Sequence, residues 1–223
     1  MDEIVIIGAS GHARTICDAI EQNSNYGIHG LIDSFKEPGK PFYSYKILGD
    51  ESILPELVKK GVTKGVVAIG DNWVRFQMVE RIKKIAPNFE FINVIHPSAI
   101  LSPKSTIGQG TVVLTAGIIN VSATVGNFCI INTKSSLGHD AIMDDFSSLA
   151  PGVTIGGSVR IGKYSNISIG VNVIQNISIG DHTVIGAGST VVNHIASNKL
   201  ALGTPAKVVR NRKIGEKYLD KNQ

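Results

Sequence analysis

From Ile95 to Val191 every sixth residue is aliphatic, an unbroken run that begins Ile95, Leu101, Ile107 and ends Ile179, Ile185, Val191. Four residues after each aliphatic stands a small or β-branched residue, such as Ala99, Thr111, Cys129, Ala141 or Thr183. The position directly after the aliphatic is often glycine, as at Gly108, Gly126, Gly138, Gly156, Gly162, Gly180 and Gly186. A period of six fits neither the 3.6-residue beat of a helix nor the alternation of a long strand. It predicts short strands joined by tight turns, the pattern of a parallel β-helix. The aliphatics would fill the inside of the prism, the small residues would fit near its corners, and the glycines would permit the turn dihedrals.

The first ninety residues follow a different rhythm. An apolar strand over 3–7 leads into Gly8-Ala9-Ser10-Gly11-His12-Ala13-Arg14 and a helix to about 22. A strand over 28–32 ends in Asp33, and an irregular segment with Pro38, Gly39 and Pro41 follows. A helix over 52–60 comes next, then a strand over 66–69 ending at Gly70-Asp71-Asn72. A helix over 73–85 carries Val74, Met78, Val79 and Ile82, which read as core, and 89–94 supplies a last strand. Strands alternating with helices imply an α/β, Rossmann-like domain with a parallel sheet.

Ligands of such sheets sit at the carboxyl ends of the strands, so Gly8, Ser10, Gly11 and His12, Asp33, and Gly70 and Asn72 should converge on one crevice. The glycine-rich turn at a helix N-terminus offers backbone N–H groups to an anion. Against the dinucleotide fingerprint, Ser10 replaces the second glycine and Ala13 the third, a weak match. Asp33 is either a ribose or base ligand or a turn former. His12 either caps the turn or contacts substrate. Ile95-His96-Pro97-Ser98 joins the two parts without a flexible linker, which predicts rigid docking. The expected division is 1–94, 95–205 and a basic C-terminal tail over 206–223.

Hydrophobic residues make up 43% of the 223, enough for an ordinary core. The chain starts acidic, and its first apolar run is too short for a leader or a membrane span, so a cytoplasmic protein without membrane contact is expected. Cys17 and Cys129 read as small buried residues rather than a disulfide framework. The net charge of +4 is concentrated at the end, where 199–223 hold seven Lys or Arg against Glu216 and Asp220. Without interleaved aromatics or a nucleic-acid fold, this stretch is either a solvated tail or a site for the phosphates of a small cofactor.

The strand-GASGHA-helix unit, the junction Ile95-His96-Pro97-Ser98-Ala99, the hexad repeat and the closing Gly203-Thr204-Pro205-Ala206-Lys207 resemble, in that order, one group of hexapeptide-repeat acyltransferases. These are the bacterial sugar acetyltransferases of the UDP-4-amino-sugar N-acetyltransferase and sialic acid O-acetyltransferase type. The resemblance covers nearly the whole chain and stops near Arg212. It implies a left-handed parallel β-helix with three hexads per coil, an exception to the usual crossover hand. It also implies acetyl-CoA as co-substrate along the β-helix, a nucleotide sugar in the N-terminal domain beside His12, and a homotrimer with active sites between subunits. The family's catalytic pair, a histidine followed by an acid, falls on His139 and Asp140, and its preceding Asn-Thr on Asn132 and Thr133. Its second histidine, near the acetyl group, falls on Ser148, a departure on the acetyl side.

Acetyl transfer from a thioester requires the attacking amine or hydroxyl to lose a proton, which a neutral imidazole accepts. Asp140 would orient His139 and stabilise the imidazolium, but neighbouring side chains on an extended strand point apart. The pairing therefore needs a turn at His139, and Asp144 or Asp145 are alternative partners. Eighteen residues on, one coil away, Gly157 should stack about 4.8 Å from His139, its N–H a candidate donor to the thioester oxygen or simply a turn glycine. The same spacing links Ile169, Ala187 and Pro205 into a path for pantetheine that ends beside Lys207 and Arg210, whose charge suits the CoA phosphates.

The expected activity is acetyl-CoA-dependent N-acetylation of a nucleotide-linked amino sugar, a 4-amino-4,6-dideoxy hexose, for bacterial surface glycans. The alternatives are O-acetylation of sialic acid or another sugar hydroxyl, a non-catalytic β-helical binding module, and NAD-dependent redox chemistry, against which Ser10 and the short domain argue. His29, His96, His182 and His194 show no metal-site spacing, so no metal is expected.

Overall fold

The glycine-rich turn sits at the head of the central strand of a parallel sheet in the computed structural model, which describes residues 1–23 and 25–218. Strand β1 (Asp2–Ile7) lies between β2 (Tyr26–Ile32) and β5 (Lys64–Val67), and Ile4–Ile7 are buried on both faces, as a central parallel strand requires. Helix α1 (Gly11–Asn23) buries Ala13, Ile16, Cys17 and Ile20. The segment read as irregular holds a short antiparallel pair, β3 (Pro41–Phe42) and β4 (Tyr45–Gly49), with Pro41 at the sheet edge where a missing N–H is tolerated. The helix predicted over 52–60 begins as a 3₁₀ turn, Glu51–Ile53, capped by Asp50, and continues as α2 (Leu54–Lys59). Helix α3 (Asn72–Ile85) starts at Asp71, whose carboxylate accepts the N–H groups of Trp73 and Val74 at 3.0 Å each.

The strand predicted over 89–94 is split. β6 (Glu90–Phe91) closes the first sheet, whereas β7 (Val94–Ile95) pairs with Val112–Val113 and opens the prism. The first strand of the prism thus starts at Val94, whose side chain packs in the core beneath α1.

From Val94 onward, two-residue strands stack into three parallel sheets, each pairing with the strand eighteen residues later: Val112 with Ile130, Ile118 with Ser136, Thr124 with Ile142. The coils wind left-handed. The hexad aliphatics fill one continuous core with Ala123, Cys129, Ala141 and Val153 at the small positions. The glycines do different work from that expected. The left-handed residue of each turn lies three places after the aliphatic and is usually not glycine: Ala116, Phe128, Asp140, Ser158 and Asn176 all have φ between 54° and 61°. Glycine one place after the aliphatic is set by close approach between coils. A β-carbon on Gly156 would stand 2.6 Å from the Gln175 nitrogen, and one on Gly126 2.7 Å from the Asp145 nitrogen.

The eighteen-residue register ends with the repeat. Strand Lys199–Gly203 pairs with Val184 and Ile185 at an offset of sixteen, through Leu200 and Ala201. It turns at the cis Thr204–Pro205 peptide into Ala206–Asn211, an antiparallel partner. Residues 212–218 then cross back to the first domain, with Arg212 buried. The expected basic tail is therefore a hairpin and a strap; its last five residues, 219–223, lie outside the described residues.

One corner of the prism docks the first domain. Phe128, Phe146, Tyr164 and His182, each eighteen residues from the next, stack with ring centroids 4.9, 5.7 and 4.6 Å apart, and Phe76 and Trp73 of α3 pack on them. Beside this ladder Arg75, 1% exposed, donates from Nε to the Phe128 carbonyl (2.9 Å) and from Nη2 to the Phe146 carbonyl (3.2 Å) and Asn72 Oδ1 (2.6 Å). Nη1 reaches the Ile69 and Gly70 carbonyls at 2.8 and 3.1 Å. Val112 and Leu114 of the prism join the core beneath α1, so the two domains form one packed body, as the short junction predicted.

Candidate functional site

At the carboxyl ends of β1, β2 and β5 a crevice of about 190 Å³ is lined by Gly8, Ser10, Asp33, Glu51, Gly70 and Met78, among others. Gly8 has φ 105°, a left-handed conformation that lets the chain turn between strand and helix. Asp33 accepts the Ala9 N–H at 2.8 Å and the Phe35 N–H at 2.9 Å, so its carboxylate braces the glycine-rich turn while bordering the crevice. Val74 and Met78, read as core, form part of the crevice wall, while Val79 and Ile82 on the same helix are fully buried. Gly11 begins α1 at the surface.

A second cleft, of about 310 Å³, opens between the first domain and the outer face of the eight-stranded sheet. His12 and Gly70 line one side, Asn132, Ser148, Ile169 and Ala187 the other. Gly70 is common to both openings. His12 Nε2 is buried without a hydrogen-bond partner among the described residues. Burial, and then the neighbouring Arg75 charge, push this imidazole down to about 4, so it is neutral near pH 7. On the prism side Ser148 donates to Asn166 Oδ1 (2.8 Å) and Asn166 Nδ2 to Ser168 Oγ (3.0 Å), a polar strip beside the apolar column of Ile169 and Ala187. Asn132 folds its side chain onto the Thr133 N–H at 2.8 Å, and Thr133 occupies the corner beyond the cleft wall.

His139 and Asp140 occupy a different corner. They follow Leu137 of the six-stranded sheet and precede Ile142 of the five-stranded one, so their corner is opposite the eight-stranded sheet and its cleft. Asp140 has φ 57°, and this left-handed turn brings its Oδ2 to 2.7 Å from His139 Nδ1. The turn required for the pairing is thus present. Asp144 is instead bonded to Arg160, and Asp145 to Asn127, which removes them as partners. With Nδ1 on the carboxylate, Nε2 is left for an incoming proton. The ring lies over Gly157, in the space a β-carbon there would take, as the coil spacing predicted. The Gly157 N–H makes no hydrogen bond among the described residues.

Two expectations are corrected. Asn72 is 0% exposed, its amide spent between Arg75 and the Ser165 carbonyl, so it joins the domains and does not face the crevice. Pro205 does not continue the Ile169–Ala187 column, because the sixteen-residue offset puts Gly203 there, its N–H on Ser189 Oγ at 3.0 Å. Lys207 and Arg210 stand exposed on the hairpin and do not line the cleft, with Arg210 held by Glu216 at 2.6 Å. No group of three or more His, Cys, Asp or Glu that could hold a metal occurs among the described residues, and no helix among them is long and apolar enough to cross a membrane. Arg75, the aromatic ladder and Tyr218, which also lines the cleft, escaped the sequence reading. The ladder's eighteen-residue spacing was a signal; Tyr218 had none.

Residues 3–82 match the family model described as the PglD N-terminal domain. The chain is 32% identical over 120 residues to the UDP-N-acetylbacillosamine N-acetyltransferase of Bacillus subtilis (strain 168), covering 51% of this chain and 52% of that protein. It spans only about half the length of this curated relative. The perosamine N-acetyltransferase of Caulobacter crescentus, solved as a histidine variant with CoA and GDP-perosamine, superposes with a TM-score of 0.89 at 30% identity. That match covers 95% of this chain and 98% of the other. The acetyltransferase domain of PglB from Neisseria gonorrhoeae FA1090, solved with acetyl coenzyme A, gives 0.85 at 27% identity over 93% and 98%.

Proposed function

We propose that this chain, which belongs to the bacterial sugar N-acetyltransferases of the hexapeptide-repeat superfamily, transfers acetyl from acetyl-CoA to the amine of a nucleotide-linked amino sugar. The acceptor is a 4-amino-4,6-dideoxy hexose, and the setting is cytoplasmic synthesis of surface glycan. One observation carries the reading: the nucleotide-type crevice and the elongated cleft share the wall at Gly70, so a nucleotide sugar in one presents its sugar to an acyl donor in the other.

In the reaction the amine nitrogen attacks the thioester carbonyl carbon as His139 Nε2 takes its proton. The tetrahedral intermediate collapses with loss of the CoA thiolate, which recovers a proton from the imidazolium. Asp140 holds the ring in the Nδ1–H form throughout, and the Gly157 N–H donates to the oxygen where negative charge develops. Ser148, Ile169 and Ala187 line the path of pantetheine, with Lys207 and Arg210 supplying positive charge to its phosphates from the far end. His12, Gly8, Ser10 and Asp33 border the nucleotide sugar.

Because His139 occupies the corner opposite the cleft, a complete site needs a second copy, whose His139 corner closes on the cleft of the first. A homotrimer gives each cleft one such corner. Thiol release from acetyl-CoA, assayed with a panel of UDP-, GDP- and dTDP-linked amino sugars and free sialic acid, tests the assignment. Turnover with an amino sugar that disappears in His139→Ala is expected. Turnover with sialic acid alone, or full activity in His139→Ala, would overturn it.

A further inference from the structure

The strap after the hairpin is built to stay closed. Arg212 is 8% exposed, and its guanidinium donates to the Glu216 carbonyl. The Glu216 carboxylate accepts from Arg210 at 2.6 Å and from the Lys213 N–H at 3.0 Å, a loop of bonds that pins the turn. Gly215 lies so close to α3 that a β-carbon would sit 2.7 Å from Trp73 Nε1. The strap thus delivers Tyr218 to the seam between the domains.

The Tyr218 hydroxyl makes two bonds to one loop. It donates to the Gly70 carbonyl at 3.1 Å and accepts the Asn72 N–H at 3.0 Å. A phenol has one proton to give, and it goes to Gly70, so a phenylalanine ring could keep the packing but not the grip. The same carbonyl receives Arg75 Nη1, so the loop tip is clamped between a buried cation and the phenol. Gly70 carries no side chain that could fix it by packing, yet it walls both openings, and Tyr218 itself faces the cleft with His12 and Ser148.

We propose that Tyr218 is a positioning residue for acetyl transfer: by holding the Gly70 carbonyl it fixes the partition between the crevice and the cleft, so that acceptor amine and thioester meet in line. The inference rests on the function proposed above. Misplacement of reacting groups by about 1 Å can cost up to about 100-fold in rate without weakening either ligand, so the expected signature lies in kcat.

In Tyr218→Phe, kcat should fall about 10-fold to 100-fold while the KM for acetyl-CoA stays within about twofold. Trp73 is the chain's single tryptophan and lies under the strap, so its emission reports whether the strap is docked. It should be unchanged in Tyr218→Phe and shifted in a chain truncated after Asn211. A Phe variant with wild-type kcat overturns the proposal. So does a loss of kcat accompanied by the emission of the truncated chain, or a raised KM for acetyl-CoA at unchanged kcat, since these mean strap docking or a simple binding wall. Wild-type protein that acetylates no amino sugar would sink the proposed function and this inference together, whereas an active wild type beside a fully active Phe variant sinks this inference alone.

Discussion

The imidazole of His139 rests on the α-carbon of Gly157, one coil further along the prism, and fills the space of an absent side chain. Gly157 does not adopt a left-handed φ, so alanine costs it no backbone strain. The ring in its way is more than half exposed in the single chain and can turn aside where backbone could not. Gly157→Ala should therefore displace His139 and lower kcat by about 100-fold or more, with unfolding free energy changed by less than about 0.5 kcal/mol. Gly156→Ala is the contrast. Its β-carbon would meet backbone, 2.6 Å from the Gln175 nitrogen and 2.9 Å from the Ile174 carbonyl carbon, and should cost about 1 to 3 kcal/mol of stability by urea unfolding.

Asp140→Asn separates charge from shape. Asparagine accepts the left-handed φ of 57° with little penalty, so the turn should survive. An amide that donates to Nδ1 forces the proton onto Nε2 and removes the base, and kcat should drop about 10-fold to 100-fold at neutral pH. Asp144→Asn, which loosens only the 2.9 Å contact with Arg160, should leave kcat unchanged and cost under about 1 kcal/mol. Equal kcat losses in the two variants would remove Asp140 from its assigned place.

The hexad aliphatics announce the prism because each strand is short and identical in role, and the eighteen-residue coil alone places His139 over Gly157. The count failed where the repeat did. Past Val191 the offset drops to sixteen, and Pro205 lost its place to Gly203. The glycines misled for a related reason: turn conformation and coil-to-coil contact fall on different positions of the hexad, and sequence shows only that something there must be small. Asn72 read as a loop end at a crevice, yet the buried Arg75 beside it takes up its amide. That pairing depends on two domains meeting, which no local pattern records. Tyr218 is hidden the same way, 148 residues from the carbonyl it holds.

Arg75 tests how the two domains depend on each other. Its guanidinium serves carbonyls of both, Ile69 and Gly70 in one and Phe128 and Phe146 in the other, with no carboxylate bonded to it among the described residues. Arg75→Met keeps the volume but strands the Ile69, Phe128 and Phe146 carbonyls in a buried seam, while Gly70 keeps the Tyr218 hydroxyl, and each stranded group costs about 1 to 3 kcal/mol unless water reaches it. A loss of about 3 to 5 kcal/mol is expected, with urea unfolding resolving into two steps, the first domain melting before the prism. Single-step unfolding at wild-type stability would show that the aromatic ladder and the other contacts across the seam join the domains without Arg75.

The half-buried His12, whose Nε2 is shut off from solvent, makes stability depend on pH in a definite direction. Its folded value of about 4 lies below the ordinary 6.5, because burial and then Arg75 oppose the charged form. Between these values the unfolded chain binds the proton and the folded chain does not, so the stability is full above about 6.5 and is lost as pH falls toward 4. A shift of that size corresponds to at most about 3 kcal/mol. His182, lowered by its partial burial against the strap, adds a fall of the same sign. Glu216, held down to about 2 mainly by its hydrogen bond from Arg210, acts only below the ordinary glutamate range of about 4.5 and so leaves the upper part of the window to the histidines. Urea unfolding at intervals from pH 7 to pH 4.5 should show the decline in the wild type and most of it removed in His12→Gln. If His12→Gln declines as steeply as the wild type, the linkage belongs to His182, and His12 is not the neutral, unpartnered group that faces the cleft.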